Sequence, residues 1–169
     1  MTNFLSAFEP PLVVCDLGCG DFNVGKQLAP FTRHYIAVDI VHDLIDIHQK
    51  NNTKEHISFQ CLDIAKDELP KADCAILRQV LQHLSNEEIE AIVSKLYAYK
   101  YVLVTEHVPI GDFTPNKDII SGQGIRLRKN SGVHLMAAPF NLKARAVHKM
   151  SSVPDLEYGG CIETLLYTF

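Results

Sequence analysis

Apolar residues fall along this chain in short unbroken runs separated by polar, amphipathic stretches. "PLVVCDLG" is a run of β-branched and apolar residues ending in glycine, the pattern of a strand buried on both faces. "HYIAVDI", "HISFQCLD", "ADCAILRQ" and "YVLVTEH" repeat that pattern and predict four further strands. Between them, "NVGKQLAP" reads as a helix ending at Pro30, and "HDLIDIHQKNN" as a helix with Leu44, Ile45 and Ile47 mainly on one side. Ser85-Asn86-Glu87-Glu88 has the form of a capping box, and Ile89, Ile92, Val93 and Leu96 follow it at helical spacing. Alternating strands and helices predict an α/β fold, a parallel sheet with helices on both faces.

The rhythm stops at residue 108. Residues 108–142 are rich in Pro, Gly, Asn and charge without a clear period, and read as an irregular insertion. "LKARAVHKM" and "CIETLLYTF" then flank a turn-rich "SSVPDLEYGG", which predicts an antiparallel hairpin closing the sheet edge. No internal repeat or linker interrupts the chain. It reads as a single domain, 1–169, with the insertion at about 108–142.

Composition narrows the class. The chain has 169 residues, 47% of them hydrophobic, which fits a globular domain with a full core. No apolar run approaches the roughly 20 residues of a membrane span, and "MTNFLSAFEPP" lacks the basic start of a signal peptide. Cys15, Cys19, Cys61, Cys74 and Cys161 lack C-x-x-C spacing, so a reduced, cytoplasmic setting without a zinc or other metal site is expected. The net charge of -4 argues against a general nucleic-acid binder. Residues 108–149, however, hold seven basic residues against Asp112 and Asp118. That excess suits either a solvated face or a partner carrying negative charge.

The chemistry concentrates in "CDLGCGDFNVGKQLAP". Gly20 to Lys26 reads G-x-x-x-x-G-K, but Gln27 stands where a triphosphate loop needs Ser or Thr for magnesium. Asp16 and Asp21 would also set carboxylates against phosphates. A dinucleotide loop needs G-x-G-x-x-G, and after Gly18 and Gly20 the third glycine is missing.

A better match comes from several segments together. "VVCDLGCGDF" resembles the first motif of class I S-adenosylmethionine (SAM)-dependent methyltransferases, and "IAVDI", "CLDI", "LRQVLQHLS" and "IETLLYTF" resemble later motifs in the same order. The resemblance covers most of the chain. It implies a Rossmann-like, mostly parallel seven-stranded sheet with a C-terminal antiparallel hairpin, and SAM as cofactor with S-adenosylhomocysteine as product. By the same resemblance Asp16, Gly18, Cys19 and Gly20 form the glycine loop around SAM. Asp39, with Ile40 beside it, would bind the ribose hydroxyls. Asp63 and the Ile64 amide would read the adenine, and Arg78 and Gln79 would line the methionine end. Phe22 departs from the common form, in which a small residue follows the loop. "GCGDF", Asn116-Lys117-Asp118-Ile119 and Pro139-Phe140-Asn141 are together similar to a bacterial branch of the family.

Methyl transfer needs positioning above all, and a base only if the acceptor keeps its proton. His83, Glu106 and His107 lie near the ends of the fourth and fifth strands, where open α/β sheets bind ligands, and are the candidates. The two histidines also read as ordinary packed residues. Arg126 and His134 in the insertion are candidates for acceptor contacts, Arg126 by pairing with a carboxylate or phosphate. No N/D-P-P-Y/F follows the fourth strand and no Pro-Cys nucleophile occurs, which disfavours amino-methylation of bases and covalent C5 chemistry. The expected activity is methyl transfer to O or N of a small, anionic metabolite or glycan. An RNA methyltransferase and a non-catalytic SAM-binding module stay open, as does the oligomeric state.

Overall fold

A computed structural model describes residues 1–169. Seven strands form one sheet in the order β3-β2-β1-β4-β5-β7-β6. They are β1 (Val13–Leu17), β2 (His34–Asp39), β3 (Ile57–Cys61), β4 (Cys74–Arg78), β5 (Tyr101–Val108), β6 (Ala146–Pro154) and β7 (Cys161–Thr168). The first five run parallel. β7 lies antiparallel to both β5 and β6. The chain order reverses at β1, with β2 on one side and β4 on the other, which opens a crevice at the carboxyl ends of these strands.

Period-two alternation explains why the strands read as continuous apolar runs. Along β1 and β4, Cys15, Leu17, Ala75 and Leu77 point into one apolar cluster, which includes Ile89, Ile92, Val93 and Leu96 of helix α4 (Asn86–Leu96). Val14, Cys74 and Ile76 point to the other face, joining Leu5 of helix α1 (Thr2–Leu5) and Ile45 of helix α3 (His42–Asn51). Both faces are covered, so neither needs polar residues. The capping box forms as the sequence predicts, with the Glu88 amide donating to Ser85 Oγ and the Ser85 amide donating to Glu88.

Four details differ from the sequence reading. Residues 2–5 are helical although no pattern marked them. The helix before Pro30 is one turn, α2 (Gly25–Leu28), and Pro30 continues in a 3-10 turn, Ala29–Phe31, where a missing N–H at the start is harmless. On α3 only Ile45 is fully buried, while Ile47 is exposed. β6 begins at Ala146 and runs to Pro154, leaving a short turn at 155–160; from His148 onward both its faces are exposed, so it carries little apolar signal.

Candidate active site

A cleft of about 620 Å³ opens at the carboxyl ends of β1 to β4. The resemblance named ten cofactor residues, and nine line it: Gly18, Cys19, Gly20, Asp39, Ile40, Asp63, Ile64, Arg78 and Gln79. Asp21, Leu62, Ala65, Val80, Leu84 and Glu88 line it as well, without having been singled out.

The two loop glycines have different reasons to be glycine. Gly18 has φ +90, and a Cβ there would lie 2.3 Å from Val80 Cγ2. Gly20 has φ +53, but a Cβ there would meet nothing within 4 Å. Its conformation is held instead by hydrogen bonds. The Gly20 amide donates to Asp39 Oδ2 at 2.9 Å, and the Gly20 carbonyl accepts from His48 Nε2 at 2.8 Å. Asp39 Oδ1 meanwhile accepts from the Val41 amide at 3.0 Å, which fixes the carboxylate at the end of β2.

Asp16 is the tenth residue, and it does not line the cleft. It is 5% exposed and accepts a hydrogen bond from the Tyr35 hydroxyl at 2.8 Å beneath the loop. Burial pushes its carboxyl up to about 6, against the opposing pull of the Tyr35 hydrogen bond and of Arg78.

On the opposite wall, Asp63 accepts from the Ala65 amide and from Lys66 Nζ at 2.8 Å, and that pairing holds its carboxyl below the usual range. The Ile64 amide is engaged by no group of the chain. Behind it, Lys95 Nζ donates to the carbonyls of Ile64, Ala65 and Asp67 at 3.0, 2.8 and 2.7 Å, and so sets the segment that presents Ile64. Gln79 has φ +56, and its amide donates to Thr105 O at 2.7 Å. Its side chain accepts from Arg78 Nη1 at 3.2 Å.

The three catalytic candidates separate. His83 lines the cleft. Its Nδ1 lies 3.3 Å from Gly124 O, which can only accept, so the neutral ring carries its proton there and leaves the Nε2 lone pair facing Gln82 Nε2 at 3.3 Å. Glu106 and His107 are buried and do not reach the cleft. Glu106 accepts the amides of Leu81 and Gln82 at 2.9 and 3.0 Å, and burial pushes its carboxyl up to about 8. His107 Nε2 donates to Gly159 O, near Asp155.

The insertion candidates are also placed elsewhere. Arg126 is 1% exposed, and its guanidinium donates to the carbonyls of Lys117, Leu81, Gln82 and Leu84 and to Asn86 Oδ1. It has no face left for an acceptor anion, which corrects the reading of Arg126 as a ligand contact. His134 is exposed, outside the cleft, and its backbone amide and carbonyl bond the side-chain amide of Asn116. Lys117 and Lys129 donate to the carbonyls of Lys129 and Asp118. The charges that do line the cleft are Asp21, Asp39, Asp63 and Glu88 against Arg78. Hydrogen bonds from Ser121 and Ser85 hold the Glu88 carboxyl below its usual range.

The chain is similar to known proteins in sequence and in fold. Residues 14–99 match the family model described as a methyltransferase domain. The chain belongs to that family of methyltransferase domains. No curated protein gives a significant match to the sequence. The fold is shared with the N-methyltransferase NodS of Bradyrhizobium japonicum WM9, solved with S-adenosylhomocysteine. The two are 13% identical with a TM-score of 0.69, over 99% of this chain and 83% of NodS. It is also shared with the Burkholderia thailandensis 1,6-didemethyltoxoflavin-N1-methyltransferase, at 17% identity and TM-score 0.64, over 99% and 75%. Human N-acetylserotonin methyltransferase, solved with SAM, gives 19% identity and TM-score 0.64 over 92% of this chain. This chain spans 47% of the length of that enzyme. No helix is long and apolar enough to cross a membrane.

Proposed function

We propose that the cleft binds SAM and that the domain transfers its methyl group to a nitrogen or oxygen of a small-molecule acceptor entering beside His83. One observation carries this reading: three strand ends bring the loop glycines, Asp39, Asp63 and the free Ile64 amide to one cleft. The residues fit the cofactor. Gly20 leaves open space for close approach, the Ile64 N–H awaits an acceptor, and the acidic lining complements a cation. The volume falls within the range of about 300–1,000 Å³ usual for small-ligand sites.

When bound, SAM supplies an electrophilic methyl on a sulfonium. The chain supplies placement. Asp39, pinned by two amides, keeps lone pairs for the ribose hydroxyls, and Asp63 with Ile64 offers an acceptor and a donor to the adenine edge. His83 Nε2 takes the acceptor's proton in exchange for its hydrogen bond from Gln82 Nε2, while Gly124 keeps the ring oriented.

The lining also bears on the acceptor. The basic residues that suggested an anionic metabolite or glycan do not face the cleft, and four carboxylates do. A neutral or amine acceptor suits that lining better than an anion, and better than RNA.

Calorimetry with S-adenosylhomocysteine, using ATP and NAD as controls, tests the cofactor on the wild type and on Asp39→Ala. Binding weakened at least tenfold by Asp39→Ala is expected; equal binding of ATP would sink the reading. Methyl-labelled SAM offered to amines, alcohols, carboxylates and RNA tests the acceptor. Transfer to RNA alone would overturn the small-molecule half, and binding without any transfer would favour a non-catalytic module.

A further inference from the structure

We infer that His48 is a positioning residue for the cofactor loop, acting on Gly20 from the side of the loop that faces away from the cleft. Gly20 is held in a left-handed conformation, φ +53, yet a Cβ there would touch nothing within 4 Å. Packing therefore does not set this residue, and hydrogen bonds must. Two short ones hold it, one at each end of the residue, beside a long 3.9 Å contact from Cys19 Sγ to the same carbonyl. Asp39 takes the N–H at 2.9 Å and His48 supplies a proton to the carbonyl at 2.8 Å.

Both partners belong to one unit, β2 followed by α3, with Asp39 at the strand end and His48 in the last turn of the helix. The carbonyl can only accept, so Nε2 carries a proton and the bond persists in the neutral and the protonated ring. The ring is itself fixed. It stacks on Phe59, with centroids 5.2 Å apart and planes 27° apart, and it packs obliquely against Phe22 at 5.8 Å. Phe22 packs edge-on against Phe59 and Tyr35. The bulky residue at 22, where the family more commonly has a small one, thus builds part of the wall that orients His48. His48 does not line the cleft, so it acts on the ligand only through Gly20.

This inference rests on the loop being the SAM loop, and the test separates the two. His48→Phe keeps the stacked ring and removes the donor; His48→Gln keeps a donor near the Nε2 position and removes the ring. Amide hydrogen exchange of ligand-free protein reads the loop itself, and calorimetry with S-adenosylhomocysteine reads its use. In His48→Phe, exchange at Gly20 and Asp21 should quicken and affinity should fall about 3- to 10-fold, the range of one net hydrogen bond. His48→Gln should stay within about twofold of wild type, by the same measure of one bond retained. Unchanged exchange in His48→Phe would overturn the clamp. Quickened exchange with unchanged affinity, or an equal loss in both variants, would overturn the positioning role. Failure of the wild type to bind would defeat the cofactor reading, and this role with it.

Discussion

Phe22 occupies the space that a side chain at Gly25 would need: a Cβ there would lie 2.4 Å from Cδ2 and Cε2 of the Phe22 ring. The pair explains how a large residue follows the glycine loop. Phe22, itself at φ +60, turns inward onto Tyr35 and Phe59 and leaves the cleft free, provided position 25 has no side chain.

Gly25→Ala should therefore destabilise the protein by about 1–3 kcal/mol through overpacking. In a Phe22→Ala background the same change should be nearly neutral. Urea unfolding of the four proteins in a double-mutant cycle gives the coupling directly. Additive effects would mean that the ring has room to move.

The two loop glycines should respond unequally to alanine. Gly20→Ala adds only the strain of a left-handed residue, about 1–2 kcal/mol. Gly18→Ala adds a clash with Val80 to its strain, so it should unfold at clearly lower urea than Gly20→Ala. Ligand-free unfolding curves decide it, and the reverse order would show that Val80 gives way freely.

Asp16 makes stability depend on pH in an unusual direction. Its folded carboxyl sits at about 6, above the ordinary 3.8, so between those values the native state holds a proton that the unfolded chain has released. Stability therefore falls as pH rises through that window, and the penalty persists above it. The shift of about 2 units corresponds to on the order of 3 kcal/mol at most. Asp16→Asn keeps an oxygen for the Tyr35 hydroxyl and removes the buried charge. Its melting temperature should exceed wild type at pH 7.5, with the advantage gone near pH 4. A variant less stable than wild type at pH 7.5 would show that the ionised carboxylate is stabilised by its surroundings.

Arg126→Met should lose at least about 3 kcal/mol, because four carbonyls lose a charged donor in a buried setting. Arg126→Lys should rescue little, since one ammonium cannot reach what three guanidinium nitrogens reach. Thermal unfolding checks both. Wild-type stability with impaired acceptor use would restore Arg126 to the ligand.

Much of this architecture was readable in advance because the informative residues are close together in sequence. Strands β1 to β5 announced themselves through short apolar runs, and Asp39 and Asp63 through the resemblance of "IAVDI" and "CLDI" to family motifs. What escaped depends on distant pairings. Nothing local in "DIHQK" says that His48 meets Gly20, or in "VSKLY" that Lys95 gathers three carbonyls some 30 positions earlier. Arg126 misled for a related reason. A basic residue in a polar, irregular stretch reads as solvated or ligand-binding, whereas here the insertion has only one short 3-10 turn, Arg126–Lys129, and uses that guanidinium to tie itself to the segment after β4. Glu106 and His107 sit where the fifth strand ends, as expected, but the Leu81–Gln82 turn takes up the Glu106 carboxylate and the 155–160 turn covers His107.

The order of the sheet has a consequence for how the chain is made. β7 is synthesised after β6, yet it lies between β5 and β6, and β7 is the sole strand to which β6 is paired. During translation β6 therefore emerges with nowhere to dock. The strands that build the cleft can assemble while it waits, and β5 keeps a bare edge until β7 arrives to fill eight positions against it at once. A nascent chain that had emerged only as far as residues 155–160 would have the strands of its crevice exposed and its sheet unsealed. That interval is when the protein most needs shielding from its neighbours.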